Sequence, residues 1–239
     1  MSLLELRDVS KHHSRGSRRI EILREVSLEV DAGEFVAIWG PRRSGRSTLL
    51  AVAAGVYQPD AGAVLFAGND LNARGTTGLG NGIGYCHQLT GAPSRRKVID
   101  NVRAGLLARG MSVPDTHSHA HKALERVGVE RWADLGLADL DAAEAIRVAI
   151  ATALVLQPRL LVIDEPTKGV DLLERDKLIL LLRSLADERI AVLVSDGDGS
   201  GLSDADRTLS LAAGELRGKT TPRVGSILPL RATGRNTAA

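Results

Sequence analysis

Gly40-Pro41-Arg42-Arg43-Ser44-Gly45-Arg46-Ser47-Thr48 has the spacing of a phosphate-binding loop, G-x-x-x-x-G-K-[ST], with arginine at 46 where the pattern has lysine. Such a loop holds phosphates on a ring of backbone N–H groups. The helix that follows adds the positive end of its dipole. The flanks supply the required context. Phe35-Val36-Ala37-Ile38-Trp39 is an apolar run suited to a strand entering the loop, and Ser47-Thr48-Leu49-Leu50-Ala51 is suited to a helix leaving it. Nucleotide binding is expected from Gly40 through Thr48, with an altered cation at its centre.

The bulk composition narrows the setting. At 239 residues the chain fits one large domain with room for an inserted subdomain and a substantial core. A net charge of +2 gives no strong field for nucleic acid, so none is expected as a partner. The one cysteine, Cys86, cannot form an internal disulfide and fits a reducing compartment. The N-terminus alternates apolar and charged residues and lacks the shape of a signal peptide. The longest apolar runs, such as Leu178 to Leu182, are far too short to span a bilayer. A soluble, cytosolic protein is expected, reaching a membrane through a partner.

Outward from the loop, strand and helix signals alternate. Leu3 to Val9 and Ile20 to Val30 alternate in polarity and predict antiparallel strands, with a turn at Asp31-Ala32-Gly33. Val64 to Phe66 and Ile83 to Cys86 are further short strands. From Lys97 to about Glu144 the pattern is helical. Val98, Val102, Leu106 and Leu107 share one face, and Ala123, Leu124 and Val127 another. Ala142 to Leu156 predicts a helix stopped near Pro158, and Leu172 to Ala186 another. Leu160 to Ile163 and Ile190 to Val194 read as buried strands. The alternation predicts a parallel α/β sheet. After Arg217 the composition loses all period, so 218–239 is expected to be a flexible tail.

Leu160-Leu161-Val162-Ile163-Asp164-Glu165-Pro166 is an apolar strand ending in two acids, the form of a Walker B segment. It puts two carboxylates at the carboxyl edge of a parallel sheet beside the phosphate loop. Asp164 is expected to hold Mg²⁺ with the hydroxyl of Ser47, and Glu165 to polarise an attacking water as general base.

With these segments in order, the chain resembles the ABC-transporter ATPase family to about Arg217. Leu154 to Asp171, LVLQPRLLVIDEPTKGVD, is similar to the family's Walker B and D-loop tract, and Gly84-Tyr85-Cys86-His87-Gln88 to its Q-loop. The resemblance implies a P-loop NTPase core of RecA-like type, an antiparallel β lobe and an inserted helical lobe at about 89–145. It places residues 1–217 in one nucleotide-binding domain and implies ATP and Mg²⁺ as cofactors. Gln88 joins Ser47 and Asp164 as a metal ligand. It also implies a head-to-tail dimer with a second ATP-binding subunit, docked on a transmembrane permease at the cytoplasmic face.

Several family positions depart. Where the signature LSGGQ is expected, the chain reads Leu140-Asp141-Ala142-Ala143-Glu144. Asp141 offers a carboxylate in place of a phosphate donor, and Ala142 and Ala143 add methyls where backbone must approach closely. Asp196 occupies the switch-histidine position and, when ionised, can only accept hydrogen bonds. Arg43 stands at a glycine position. Arg46 keeps a charge without the compact ammonium of lysine. The aromatic that stacks on adenine aligns with His12 or His13. Asp171 belongs to the dimer-facing D-loop.

The reading is an ATP-binding subunit of an ABC transport complex whose hydrolysis is weak or absent alone. The alternative is a pseudo-ATPase that scaffolds or regulates a membrane protein. Gln88 to Gly105 is the expected docking segment. The new cations Arg42 and Arg43, and the new anions Asp141 and Glu144, are expected to meet if two copies pair. His117, His119 and His121 read as a solvated helix face, and Cys86 as a small core residue.

Overall fold

In the computed structural model, residues 2–16, 18–72, 82–86, 96–197 and 204–219 are described. A four-stranded antiparallel sheet runs in the order β2-β1-β4-β5, formed by Leu4–Arg15 (β1), Arg18–Val30 (β2), Ala61–Phe66 (β4) and Asn69–Asp70 (β5). The second sheet has six strands in the order β10-β9-β3-β8-β7-β6. These are Phe35–Trp39 (β3), Ile83–Cys86 (β6), Leu160–Ile163 (β7), Ala191–Asp196 (β8), Arg207–Ala212 (β9) and Glu215–Lys219 (β10). Pairing is parallel from β9 through β6, with β10 antiparallel on the edge. The helices are Arg46–Ala53 (α1), Val98–Ala108 (α2), Val113–Arg126 (α3), Ala142–Leu154 (α4) and Leu172–Asp187 (α5).

Strands β3, β7 and β8 of the larger sheet are buried on both faces, and their side chains divide with the period of two that a strand imposes. Phe35, Ala37, Leu161, Ile163, Val192 and Val194 join one core with α2 to α5. Val36, Ile38, Leu160, Val162, Ala191 and Leu193 join the other, with α1 and the smaller sheet. Strands covered on both sides read as unbroken apolar runs, which is why β3, β7 and β8 were visible without any alternation.

Several boundaries differ from expectation. The β1–β2 hairpin continues to Arg15 and starts again at Arg18, well beyond Val9 on one arm. Register shifts between Leu6 and His12 let this long ribbon twist. On α2, Val98, Ile99, Val102 and Leu106 face the core, whereas Leu107 is exposed, because position i+9 rotates off that face. The expected edge of the helical lobe at 145 falls inside α4, which continues unbroken to Leu154. Gly218 and Lys219, read as tail, extend β10. β5, β9 and β10 carried no recognised strand signal. Residues 220–239 and 87–95, including Gln88, lie outside the described residues.

Candidate nucleotide site

The loop between β3 and α1 sits at the carboxyl edge of the parallel sheet, where open α/β sheets bind ligands. Gly40 leaves β3 with its Cα tight against β9, and a Cβ there would stand 2.2 Å from the Leu211 carbonyl oxygen. Gly45 caps α1 at φ 106°, and a Cβ would meet the Ile22 carbonyl at 2.9 Å. Both positions therefore require glycine. Arg43 occupies the left-handed region at φ 67° without being glycine, which stores strain in the loop. Pro41, Arg42 and Arg43 are exposed, whereas Ser44 is buried and its hydroxyl has no partner among the described residues.

Because β8 lies between β3 and β7, its end residues reach both the phosphate loop and the acids of β7. Ser195 is fully buried there. Its hydroxyl donates to Asp164 Oδ1 at 2.5 Å and accepts from the Glu165 amide at 2.9 Å. Sequence reading missed this residue, although a lone serine closing an apolar strand was its signal. The bond helps hold Glu165 at φ 48°, another strained backbone.

Arg46 is 6% exposed and turns across the cleft. Its Nη2 donates to Glu165 Oε1 at 2.8 Å, and Lys168 Nζ lies 2.9 Å from Oε2 of the same carboxylate. Arg46 Nη1 is buried without a partner among the described residues. Asp196 is also buried. Its Oδ1 accepts from the Gly197 amide at 2.7 Å, and its Oδ2 lies 3.8 Å from Arg175 Nη2. Arg42, Arg43, Arg46, Ser47, Glu165, Thr167, Lys168, Arg175, Asp196 and Gly197 together line one cleft of about 590 Å³. Five of those side chains are basic and two acidic. Lys168 and Arg175 had no sequence signal, since only the packing of β7 and α5 against the loop brings them in.

The donors expected for Mg²⁺ were Ser47, Asp164 and Gln88. The ion requires near-octahedral oxygen ligands. In the cleft, Glu165 and Asp196 face cations, and one oxygen of Asp164 is engaged by Ser195. No group of three His, Cys, Asp or Glu side chains suited to a metal occurs among the described residues, although Ser47 lines the cleft and Gln88 lies outside those residues. With five cations against two carboxylates, the cleft suits an anion better than a dication.

The remaining expected residues divide into two places. His13 Nε2 lies 3.3 Å from the Thr48 hydroxyl, and its ring meets Tyr57 edge-on, so it flanks the loop helix. His12 points elsewhere, toward Asp60 and Glu21. Asp141, Ala143 and Glu144 line a separate cleft of about 380 Å³ at the start of α4. There Asp141 accepts from the Glu144 amide at 2.8 Å, and Glu144 accepts from the Asp141 amide at 3.0 Å. This reciprocal pair is a capping box, with Asp141 at the cap and Glu144 three residues on. Ala142 is exposed beside Gly169. Asp171 caps α5, accepting from the amides of Leu173 and Glu174. Asp141→Ala should cost about 1 kcal/mol of stability, and Asp141→Asn far less because asparagine also caps. Thermal melts of the two variants check this, and equal losses would mean that charge, not capping, matters.

Elsewhere, His121 Nε2 lies 3.2 Å from His117 Nε2 on an exposed face of α3. Cys86 is buried, and burial pushes its thiol up to about 12, so it stays neutral.

A phosphate-binding loop between a parallel strand and a helix, beside an acid-tipped strand, defines a P-loop nucleotide-binding protein. The ABC transporter family profile matches residues 23–168, and the chain belongs to that family as an ATP-binding subunit. A lipoprotein-releasing system ATP-binding protein of Pseudomonas fluorescens is 34% identical over 220 residues, covering 90% of this chain and 97% of that protein. A sulfate/thiosulfate import ATP-binding protein of Cucumis sativus is 33% identical over 226 residues, covering 92% of this chain and 63% of that protein. The chain spans only 37% of the length of another relative, from Onion yellows phytoplasma. An ATP-binding cassette solved as a dimer in a post-hydrolysis state with ADP and Pi superposes with a TM-score of 0.83 at 27% identity. That match covers 91% of this chain and 98% of the other.

Proposed function

We propose that this chain is an ATP-binding subunit of a transport complex that binds nucleotide but hydrolyses it slowly or not at all by itself. The observation that carries this is the 2.8 Å pair between Arg46 and Glu165. A general base must reach the proton it abstracts, and this carboxylate is instead held by Arg46 on one oxygen and Lys168 on the other. The carboxylate of Asp196 and the capping role of Asp141 point the same way, since neither offers a donor to a terminal phosphate.

The partners in this reading are a transmembrane permease and a second ATP-binding subunit, identical or different. The dimeric solved relative and the transport names of the sequence relatives support it. The subunit then sits at the cytoplasmic face of a membrane through its partner, and no helix among the described residues is long and apolar enough to cross one. Residues 1–217 act as the nucleotide-binding unit, and the described part of the docking segment is Arg96 to Gly105.

Turnover of the purified chain tests the proposal. Glu165→Gln should change the ATPase rate less than about tenfold, against the factor of about 10²–10⁴ typical of a working general base. A loss in that larger range would mean that Glu165 is an active base. The scaffold alternative differs in one result: it requires the membrane partner to work normally with a variant unable to bind ATP.

A further inference from the structure

We propose that this cleft takes the phosphate chain of its nucleotide without a magnesium ion, and that Arg46 exchanges Glu165 for phosphate when it does so. The inference rests on the nucleotide-binding reading above and adds how the charge is met.

A P-loop with lysine supplies one point charge, and a metal ion bridging the outer phosphates supplies the rest. Here the cations are built into the chain. Arg42 and Arg43 are exposed on the loop, with no hydrogen bond or ion pair among the described residues. Arg46 lines the same cleft, 6% exposed, with Nη1 buried and without a partner among the described residues. Lys168 and Arg175 line the same cleft. Guanidinium forks match phosphate oxygens two at a time and carry their charge at any physiological pH. A buried N–H without an acceptor is a costly arrangement that an entering phosphate oxygen relieves. Gly197 leaves room on that side, since even a Cβ there would be 3.8 Å from Nη1.

The exchange leaves no bare carboxylate. When Arg46 turns to phosphate, Lys168 remains 2.9 Å from Glu165 Oε2, and the Ser195 hydroxyl still receives the Glu165 amide. A dication entering with the phosphates meets the opposite situation. Five positive charges against two carboxylates line the cleft and oppose it, and Asp164 Oδ1 is already engaged by Ser195.

The test is calorimetric titration of the full chain with ATP, once in EDTA and once in excess MgCl₂. The expected Kd in EDTA is equal to or below that in Mg²⁺. Binding that is about tenfold weaker in EDTA overturns metal-free recognition while leaving the nucleotide-binding reading intact. Binding in neither condition overturns both. Glu165→Gln separates the exchange from simple charge attraction. It frees Arg46 from its competitor and should tighten metal-free binding by about three- to tenfold. Arg46→Lys should weaken binding in EDTA by about tenfold, because an ammonium cannot form the fork. If Glu165→Gln fails to tighten binding or Arg46→Lys fails to weaken it, with melting curves showing both folded, Arg46 does not exchange partners.

Discussion

Gly40→Ala will lower the melting temperature by about 6–12 °C, the shift expected for a loss of about 3 kcal/mol in a domain of this size. The cause is local and backbone-limited. The added methyl would sit 2.2 Å from the Leu211 carbonyl oxygen and 2.9 Å from the Ser44 hydroxyl. A flexible side chain could swing aside, but Leu211 is fixed by β9, which pairs with β3 and β10. The loop must lift off the sheet edge, so nucleotide affinity should fall with stability. Gly218→Ala is the control. Its Cβ would meet only Leu209 Cδ2 at 3.7 Å, an ordinary contact, and the change should stay within about 0.5 kcal/mol. Equal melting shifts for the two variants would show that glycine entropy, not the clash, sets the cost.

Ser195→Ala should lose about 3 kcal/mol in denaturant unfolding, far more than a hydroxyl deletion on the surface. One buried oxygen serves two groups here, Asp164 Oδ1 and the Glu165 amide. Deleting it leaves a buried carboxylate oxygen and a backbone donor short of a partner together, and burial prevents water from replacing it. Ser184→Ala, which removes an exposed hydroxyl bonded only to the Leu181 carbonyl, gives the comparison and should cost under about 0.5 kcal/mol. A loss below about 1 kcal/mol for Ser195→Ala would mean that water or a neighbour refills the position. The ends of β7 and β8 would then be joined by their backbones alone.

Most of the architecture was legible because it rests on patterns that act locally. The phosphate loop needs glycines at 40 and 45, an apolar strand before it and a helix after it, and all of these are adjacent in the chain. The Walker B strand is four apolar residues followed by two acids. The capping box of α4 went unread: its acids were taken as altered signature residues and as partners for another subunit, and the structure shows the box. β9 and β10 were not legible, because these two strands at one end of the sheet mix Arg, Thr, Ser and Glu with few apolar residues, and β10 is the edge itself. The far end of the β1–β2 ribbon was hidden for a related reason, since charged residues and register shifts erase its alternation.

The chemistry divides along the same line. Residue types alone established that a phosphate-binding loop carries arginine at 43 and 46, and that aspartates stand at 141 and 196, because identity and spacing are one-dimensional facts. That Arg46 sets one guanidinium nitrogen on Glu165, that Lys168 takes the other oxygen and that Ser195 ties Asp164 to Glu165 follows only from strand order. The parallel sheet sets β8 between the loop strand and the acid-tipped strand, so groups 119, 30 and 31 residues apart meet. No local pattern encodes those distances, because charge pairing in a cleft depends on where three strand ends converge.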